Sequence, residues 1–330
     1  MNNYKYILLA LLTFSICLYS CKKDKQATST QDNSKLSDVI ADNFNLSIFN
    51  TALTVSNLRA KMMEQGPYTV ITPSDDAFAR AGYGSSVAVL GEVPARISSI
   101  INYHILNGRY ELNKLPFLFN QEIRSSNGGK LFVTHWVKGT DTILTINGSR
   151  VLSQNVMASN GLIQVVDRML EPFKYEQITD AIASDKNLSL FYQAIQRAGL
   201  LGVLQGKGPL TVFAPNNAAM ITYGLPTLAA INEANPSVLA TFLRYHILND
   251  RRFVYDYILS TGTSNQTEQT MMDGNSVQIR LLPDPKIPGA FSGIQLKGTG
   301  NTAVVSLSKQ DVLTGNGVLH TIGSVLKITQ

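Results

Sequence analysis

Apolar residues between positions 36 and 63 fall at helical spacing. Leu36, Val39 and Ile40 form one group, and Ile48, Phe49, Leu53 and Leu58 another. Residues three and four apart share a helix face, so the pattern predicts two short amphipathic helices. The period then changes. Residues 68–72 are β-rich and follow Gly66-Pro67, which predicts a strand. Ser74 stands where a helix N-cap would, with Asp75 and Asp76 in the first turn, where carboxylates complement the helix dipole. Residues 94–106 predict another helix, with Ile97, Ile100, Ile101 and His104 on one face. Beyond it, 131–137, 142–146, 151–153 and 162–170 alternate or run apolar, as strands of an antiparallel sheet do. Helices first and strands later argue for an α+β fold.

The pattern occurs twice. Asn45-Leu46-Ser47-Ile48-Phe49 returns as Asn187-Leu188-Ser189-Leu190-Phe191. Gly66-Pro67-Tyr68-Thr69-Val70 returns as Gly208-Pro209-Leu210-Thr211-Val212, and Tyr103-His104-Ile105-Leu106 as Tyr245-His246-Ile247-Leu248. The differences 187−45, 208−66 and 245−103 all give 142, so no gap interrupts this stretch. A closing block, Asn160-Gly161-Leu162-Ile163, matches Asn316-Gly317-Val318-Leu319 at 316−160, or 156. The second copy has therefore gained 14 residues, expected on surface loops around 282–293 or 260–270. Asn216 stands where Ser74 does and predicts the same cap.

Composition removes several function classes. Hydrophobic residues make up 44% and charged residues 15%, a globular balance rather than a disordered one. The net charge of +5 is spread along the chain, with no basic block to serve as a nucleic-acid footprint. Arg251-Arg252 is the densest basic pair beyond the N-terminus and reads as a solvated loop. The two cysteines, Cys17 and Cys21, both lie near the N-terminus, which leaves the folded part without disulfides, thiolate metal sites or a cysteine nucleophile. No cofactor is implied. Residues 1–20 have the order of a signal peptide, with an apolar run at 7–18 too short to span a bilayer comfortably. Leu18-Tyr19-Ser20-Cys21 resembles the bacterial lipobox, which implies diacylglyceryl attachment at Cys21. Residues 21–35 then read as a flexible tether. Lys22 follows the cysteine where an aspartate would suggest inner-membrane retention, so an outer-membrane lipoprotein facing the surface or the periplasm is expected.

Both copies, 36–172 and 175–330, resemble the fasciclin (FAS1) domain. The family's first block resembles Tyr68-Thr69-Val70-Ile71-Thr72-Pro73-Ser74-Asp75-Asp76-Ala77-Phe78, and its Tyr-His motif resembles Tyr103-His104 and Tyr245-His246. Its second block resembles residues 161–170 and, with departures at His320 and Gly323, 317–326. The resemblance implies a β-sheet wedge flanked by short helices, and a role in adhesion or extracellular interaction rather than catalysis. It makes Tyr103, His104, Tyr245 and His246 candidate contact residues, although flanking Ile and Leu equally suit burial, with each histidine hydrogen-bonded inside. Trp136, the only tryptophan, could stack on a sugar or pack at an edge. Asp75-Asp76 could form an acid-base pair, but the second copy has Asn217 and Ala218 there, so capping accounts for them better. The expected function is passive binding of an extracellular or periplasmic protein or glycan, with membrane attachment through the lipid. An accessory subunit of a glycan-uptake system is the alternative, and a hydrolase a more distant one.

Overall fold

A computed structural model describes residues 34–329. Cys21, the signal segment and most of the expected tether lie outside the described residues. Residues 34–329 form one compact unit that holds two copies of one topology. In the first, the helices Leu36–Ala41 and Ser47–Val55 precede strand β1 (Tyr68–Pro73). The helices Asp75–Arg80, Ser86–Leu90 and Pro94–Tyr103 follow. Then come β2 (Ile105–Asn107), β3 (Gln121–Arg124), β4 (Lys130–Lys138), β5 (Asp141–Ile146), β6 (Ser149–Ala158) and β7 (Gly161–Val166). The sheet order is β2-β1-β7-β6-β5-β4-β3, with β1 and β7 parallel.

The second copy repeats this with β8 (Leu210–Pro215), β9 (Ile247–Leu248), β10 (Gln266–Thr270), β11 (Ser276–Pro283), β12 (Phe291–Gly298), β13 (Val305–Thr314) and β14 (Gly317–Ile322). Their order is β9-β8-β14-β13-β12-β11-β10, and β14 and β8 are the parallel pair. The α+β wedge with flanking short helices is therefore present twice.

The expected cap is present in both copies. Ser74 Oγ accepts from the Ala77 N–H at 3.2 Å, and Asn216 Oδ1 from that of Ala219 at 2.8 Å. The carboxylate beside it does a different job. Asp75, in the first turn as expected, accepts from the Ile48 N–H at 2.9 Å and the Ser47 hydroxyl at 2.6 Å, so it also caps the preceding helix. Asn217 does the same for Leu190 at 3.0 Å. The helix expected over 94–106 stops at Tyr103, because Leu106 pairs with Thr69 in the sheet. The strand expected over 151–153 is longer and bulged, with Asn155 at a φ of 52°. Asn160 closes the first fold, accepting from Leu36 N–H and donating to Met62 O and Glu64 O. Asn316 repeats these bonds with Ile178, Leu204 and Gly206.

The 14 extra residues of the second copy are spread out. Tyr103 donates to Lys130 O and Tyr245 to Ser276 O, so the offset at that strand is 276−130, or 146. Four residues were gained before it, where the helix Val254–Ser260 replaces a single turn at Leu112–Lys114. The other ten lie between β11 and β13.

Candidate functional site

Each tyrosine-histidine pair ends the helix that feeds the sheet, and both pairs point inward. His104 and His246 are 0% exposed. The His104 Nδ1–H donates to Ile100 O at 2.8 Å, which leaves Nε2 to accept from the Leu170 N–H at 3.1 Å. His246 repeats this with Phe242 O at 2.8 Å and Leu326 N–H at 3.0 Å. These bonds define one neutral tautomer, and burial pushes both imidazoles down to about 4. Each histidine staples the helix end to the segment after the last strand. The tyrosines are also buried, and their hydroxyls accept from Asn147 Nδ2 and from Thr299 N–H respectively. A partner would reach these four side chains only if the domain opened.

His320 departs from the family block yet keeps its job. In the first copy Gln164 accepts from the Asn155 N–H at 3.1 Å and donates toward Tyr110 O at 3.5 Å. His320 accepts from the Asp311 N–H at 3.2 Å, and its Nε2 meets Arg252 O at 3.0 Å. Burial lowers its pKa, so the imidazole is neutral.

Trp136 sits on the face of β4 turned toward the second domain. Its ring packs against Phe119 with centroids 4.5 Å apart, and the Arg252 guanidinium lies 4.6 Å over Phe119. Further along the strand, Arg251 lies 3.8 Å over Phe132, while its guanidinium donates to Thr314 O, Gly315 O and Gly317 O at 3.2–3.3 Å. The solvated loop expected for Arg251-Arg252 is thus overturned: Arg251 is 6% exposed. Three backbone carbonyls and an aromatic face replace its water.

Around these cations the two copies interlock. Asp256, fully buried, accepts from Asn120 Nδ2 at 3.0 Å and the Thr134 hydroxyl at 2.9 Å, both from the first domain, and from its own Phe253 N–H at 2.9 Å. Burial pushes its carboxyl up to about 6 against the pull of these donors. Arg168 meets Asp311 at 2.8 Å, and Lys138 donates to Thr261 O. Phe132, Phe253 and Val318 form a small apolar cluster at the centre. Gly148, at a φ of 73°, lets Phe253 approach so closely that a Cβ there would lie 2.7 Å from it.

Sequence reasoning missed Asn120, Phe132, Asp256 and Asp311. A signal existed in the repeat itself. Arg251-Arg252-Phe253 stands where the first copy has Arg109-Tyr110-Glu111, and Phe132 corresponds to Gln278 at the offset of 146. The junction residues are those in which the copies disagree.

Among the described residues there is no grouping of three or more His, Cys, Asp or Glu side chains able to hold a metal ion, and no helix long and apolar enough to cross a membrane. Among the exposed apolar residues are Val87, Leu90 and Val93, three apart along the chain and exposed by 74%, 63% and 61%.

The Fasciclin domain model matches residues 44–172 and 186–328. Human periostin is 26% identical over 277 residues, covering 82% of this chain and 29% of that protein. Pig transforming growth factor-beta-induced protein ig-h3 is 25% identical over 271 residues, covering 82% of this chain and 36% of that protein. The chain thus spans about a third of these relatives' length. Protein sll1483 of Synechocystis sp. is 31% identical over 136 residues, which cover 41% of this chain and 72% of that protein. Among solved structures, a FAS1 domain pair from the insect cell adhesion molecule Fasciclin I aligns with a TM-score of 0.41 and 18% identity, covering 88% of this chain and 95% of that one.

Proposed function

The chain belongs to the fasciclin domain family, and on that premise we propose that it is a non-enzymatic interaction protein, held at the outer membrane by lipid on Cys21, that binds an extracellular or periplasmic protein. The observation that carries this reading is the junction. It joins the two domains into one body whose outer surface, rather than its inward Tyr-His pairs, meets a partner. Val87, Leu90 and Val93 supply contact area. Covering three such side chains yields roughly 5 kcal/mol before the cost of association is subtracted, so each contact alone is weak and depends on many copies on one membrane acting together. The positions where an acid-base pair was conceivable are structural: Asp75 is a cap, and the second copy has Asn217 and Ala218 there.

The test is retention of partner cells on immobilised protein. Replacing Val87, Leu90 and Val93 together by Ser is expected to reduce retention at least fivefold with unchanged melting. His104→Ala is expected to lower the melting temperature while leaving retention intact below it. Unchanged melting with lost retention in His104→Ala would return that histidine to the contact surface and overturn the reading.

A further inference from the structure

The two domains diverge at one corner, where the last strand leaves its sheet. In the first domain that corner is held by Arg80 and Glu171, while Arg168 leaves it for the junction. Arg80 donates to Asp167 O at 2.5 Å, Arg168 turns to Asp311, and Glu171 pairs with Arg96 at 3.5 Å. The offsets of 142 and 156 place Thr222, Gly323, Ser324 and Lys327 at the positions of Arg80, Asp167, Arg168 and Glu171. Three large side chains have become two hydroxyls and a hydrogen. The fourth has reversed its charge, and the position of its former partner Arg96 is now Val238, 65% exposed. A cavity of about 310 Å³ occupies the vacated space, at the lower end of the roughly 300–1,000 Å³ usual for small-ligand sites.

One wall is a loop, residues 299–304, where the first domain turns in the two residues Asn147 and Gly148. The loop is fixed. Gly300 N–H donates to Lys327 O and the Thr299 hydroxyl to Ile328 O, each at 2.8 Å. Asn301 accepts from the Gly298 and Lys327 N–H groups and donates to Val325 O. A Cβ on Gly300 would lie 2.3 Å from the Thr329 backbone, so only glycine allows this approach. The site is therefore preformed.

Its lining is mixed in a particular way. Ala219, Val305 and Val325 give a buried apolar floor. Tyr223, stacked on Phe242 with centroids 4.8 Å apart, lines the side. Thr302, Ser324 and Lys327 line its exposed side, where their hydroxyls and ammonium make no hydrogen bond or ion pair among the described residues. No carboxylate lines the cavity. We infer that it binds an acidic sugar unit, a uronate within a glycan. The carboxylate would meet Lys327, the ring hydroxyls Thr302 and Ser324, and the C–H face the apolar floor and the tyrosine.

This inference deepens the interaction reading and rests on it for the display of the site toward a partner. The test titrates the full chain with trigalacturonate, neutral galactotriose and inorganic phosphate, by calorimetry and ligand-observed NMR. Saturable binding of trigalacturonate is expected, at least tenfold tighter than of either control. Lys327→Glu, which installs the first domain's residue, is expected to abolish the preference over galactotriose. Thr222→Arg, which installs the first domain's Arg80 at that corner, is expected to fill the cavity and abolish binding without changing the melting temperature. No saturable binding, binding unchanged in Thr222→Arg, or phosphate binding as tightly as the trisaccharide would overturn the inference. Cell retention that depends on Val87, Leu90 and Val93, together with failed sugar binding, removes the site and keeps the interaction reading. Sugar binding without cell retention does the reverse.

Discussion

The two domains of this chain use the same parts to fold and different parts to do anything else. Asn160 and Asn316 close the two folds with matching bonds, and His104 and His246 staple matching segments. Where Gln164 becomes His320, the new side chain takes over the old backbone partners. The junction behaves in the opposite way. Arg109 forms a half-exposed ion pair with Glu111 at 3.7 Å, whereas its counterpart Arg251 is buried under a ring of the other domain. Repetition inside one chain thus separates scaffold from speciality: what recurs holds the sheet, and what differs holds the partner domain or lines the cavity.

The sharpest way to break this comparison is to truncate the same repeat position twice. Arg251→Ala leaves three buried carbonyls unpartnered and removes the cation from Phe132. It is expected to cost about 4 kcal/mol of stability. Arg109→Ala removes an exposed pair, with an expected cost below about 0.5 kcal/mol. Denaturant melts of the two variants measure the difference, and equal costs would erase the distinction.

Acid provides the next largest effect. Buried neutral His104 and His246 titrate near 4 instead of near 6.5, so the unfolded chain takes up protons first as the pH falls. Their contribution is complete above pH 6.5 and is lost progressively down to pH 4, by roughly 3 kcal/mol for each. Asp256 acts in the opposite direction. Its pKa is raised to about 6, so the folded state gains relative stability as the pH falls through 6. The net expectation from these three groups is a loss of roughly 3 kcal/mol between pH 7 and pH 4, to which buried His320, shifted in the same direction, adds; urea melts across that range read it. A flat profile would contradict the neutral histidines.

Two smaller predictions sharpen the equivalence. His104→Ala and His246→Ala should each cost about 2–3 kcal/mol and agree within about 1 kcal/mol, because both remove the same two bonds and the same edge contact with Phe49 or Phe191, and differ only in the Phe242 ring that His246 also meets. His320→Gln should cost about 1 kcal/mol or less, since Gln164 already bridges the corresponding groups and only the stack on Phe213 is lost. A cost several times larger would mean that the histidine does something its counterpart does not.

Much of the scaffold was legible in the chain. Helical spacing over 36–63 and the caps at Ser74 and Asn216 are local signals, and each corresponds to a local structure, while the offset of 142 corresponds to the repeated sheet order. The end of the helix at Tyr103 was not legible, because it is decided by pairing with β1 rather than by nearby residues. Asp75 stands in the first turn as expected, but its hydrogen bonds were not legible, because its partners lie 27 and 28 residues back. The junction was hidden most deeply. Arg251-Arg252 has the composition of a solvated loop, and only the aromatic rings of another domain turn it into an interior feature.

The central claim is that non-repeated residues weld two repeated folds into one cooperative body. Calorimetric unfolding of the full chain beside its Arg251→Ala variant tests it most directly. The account predicts one transition for the natural sequence, splitting into two in the variant as each domain melts alone. Two separate transitions in the natural protein, left unmoved by the substitution, would contradict it.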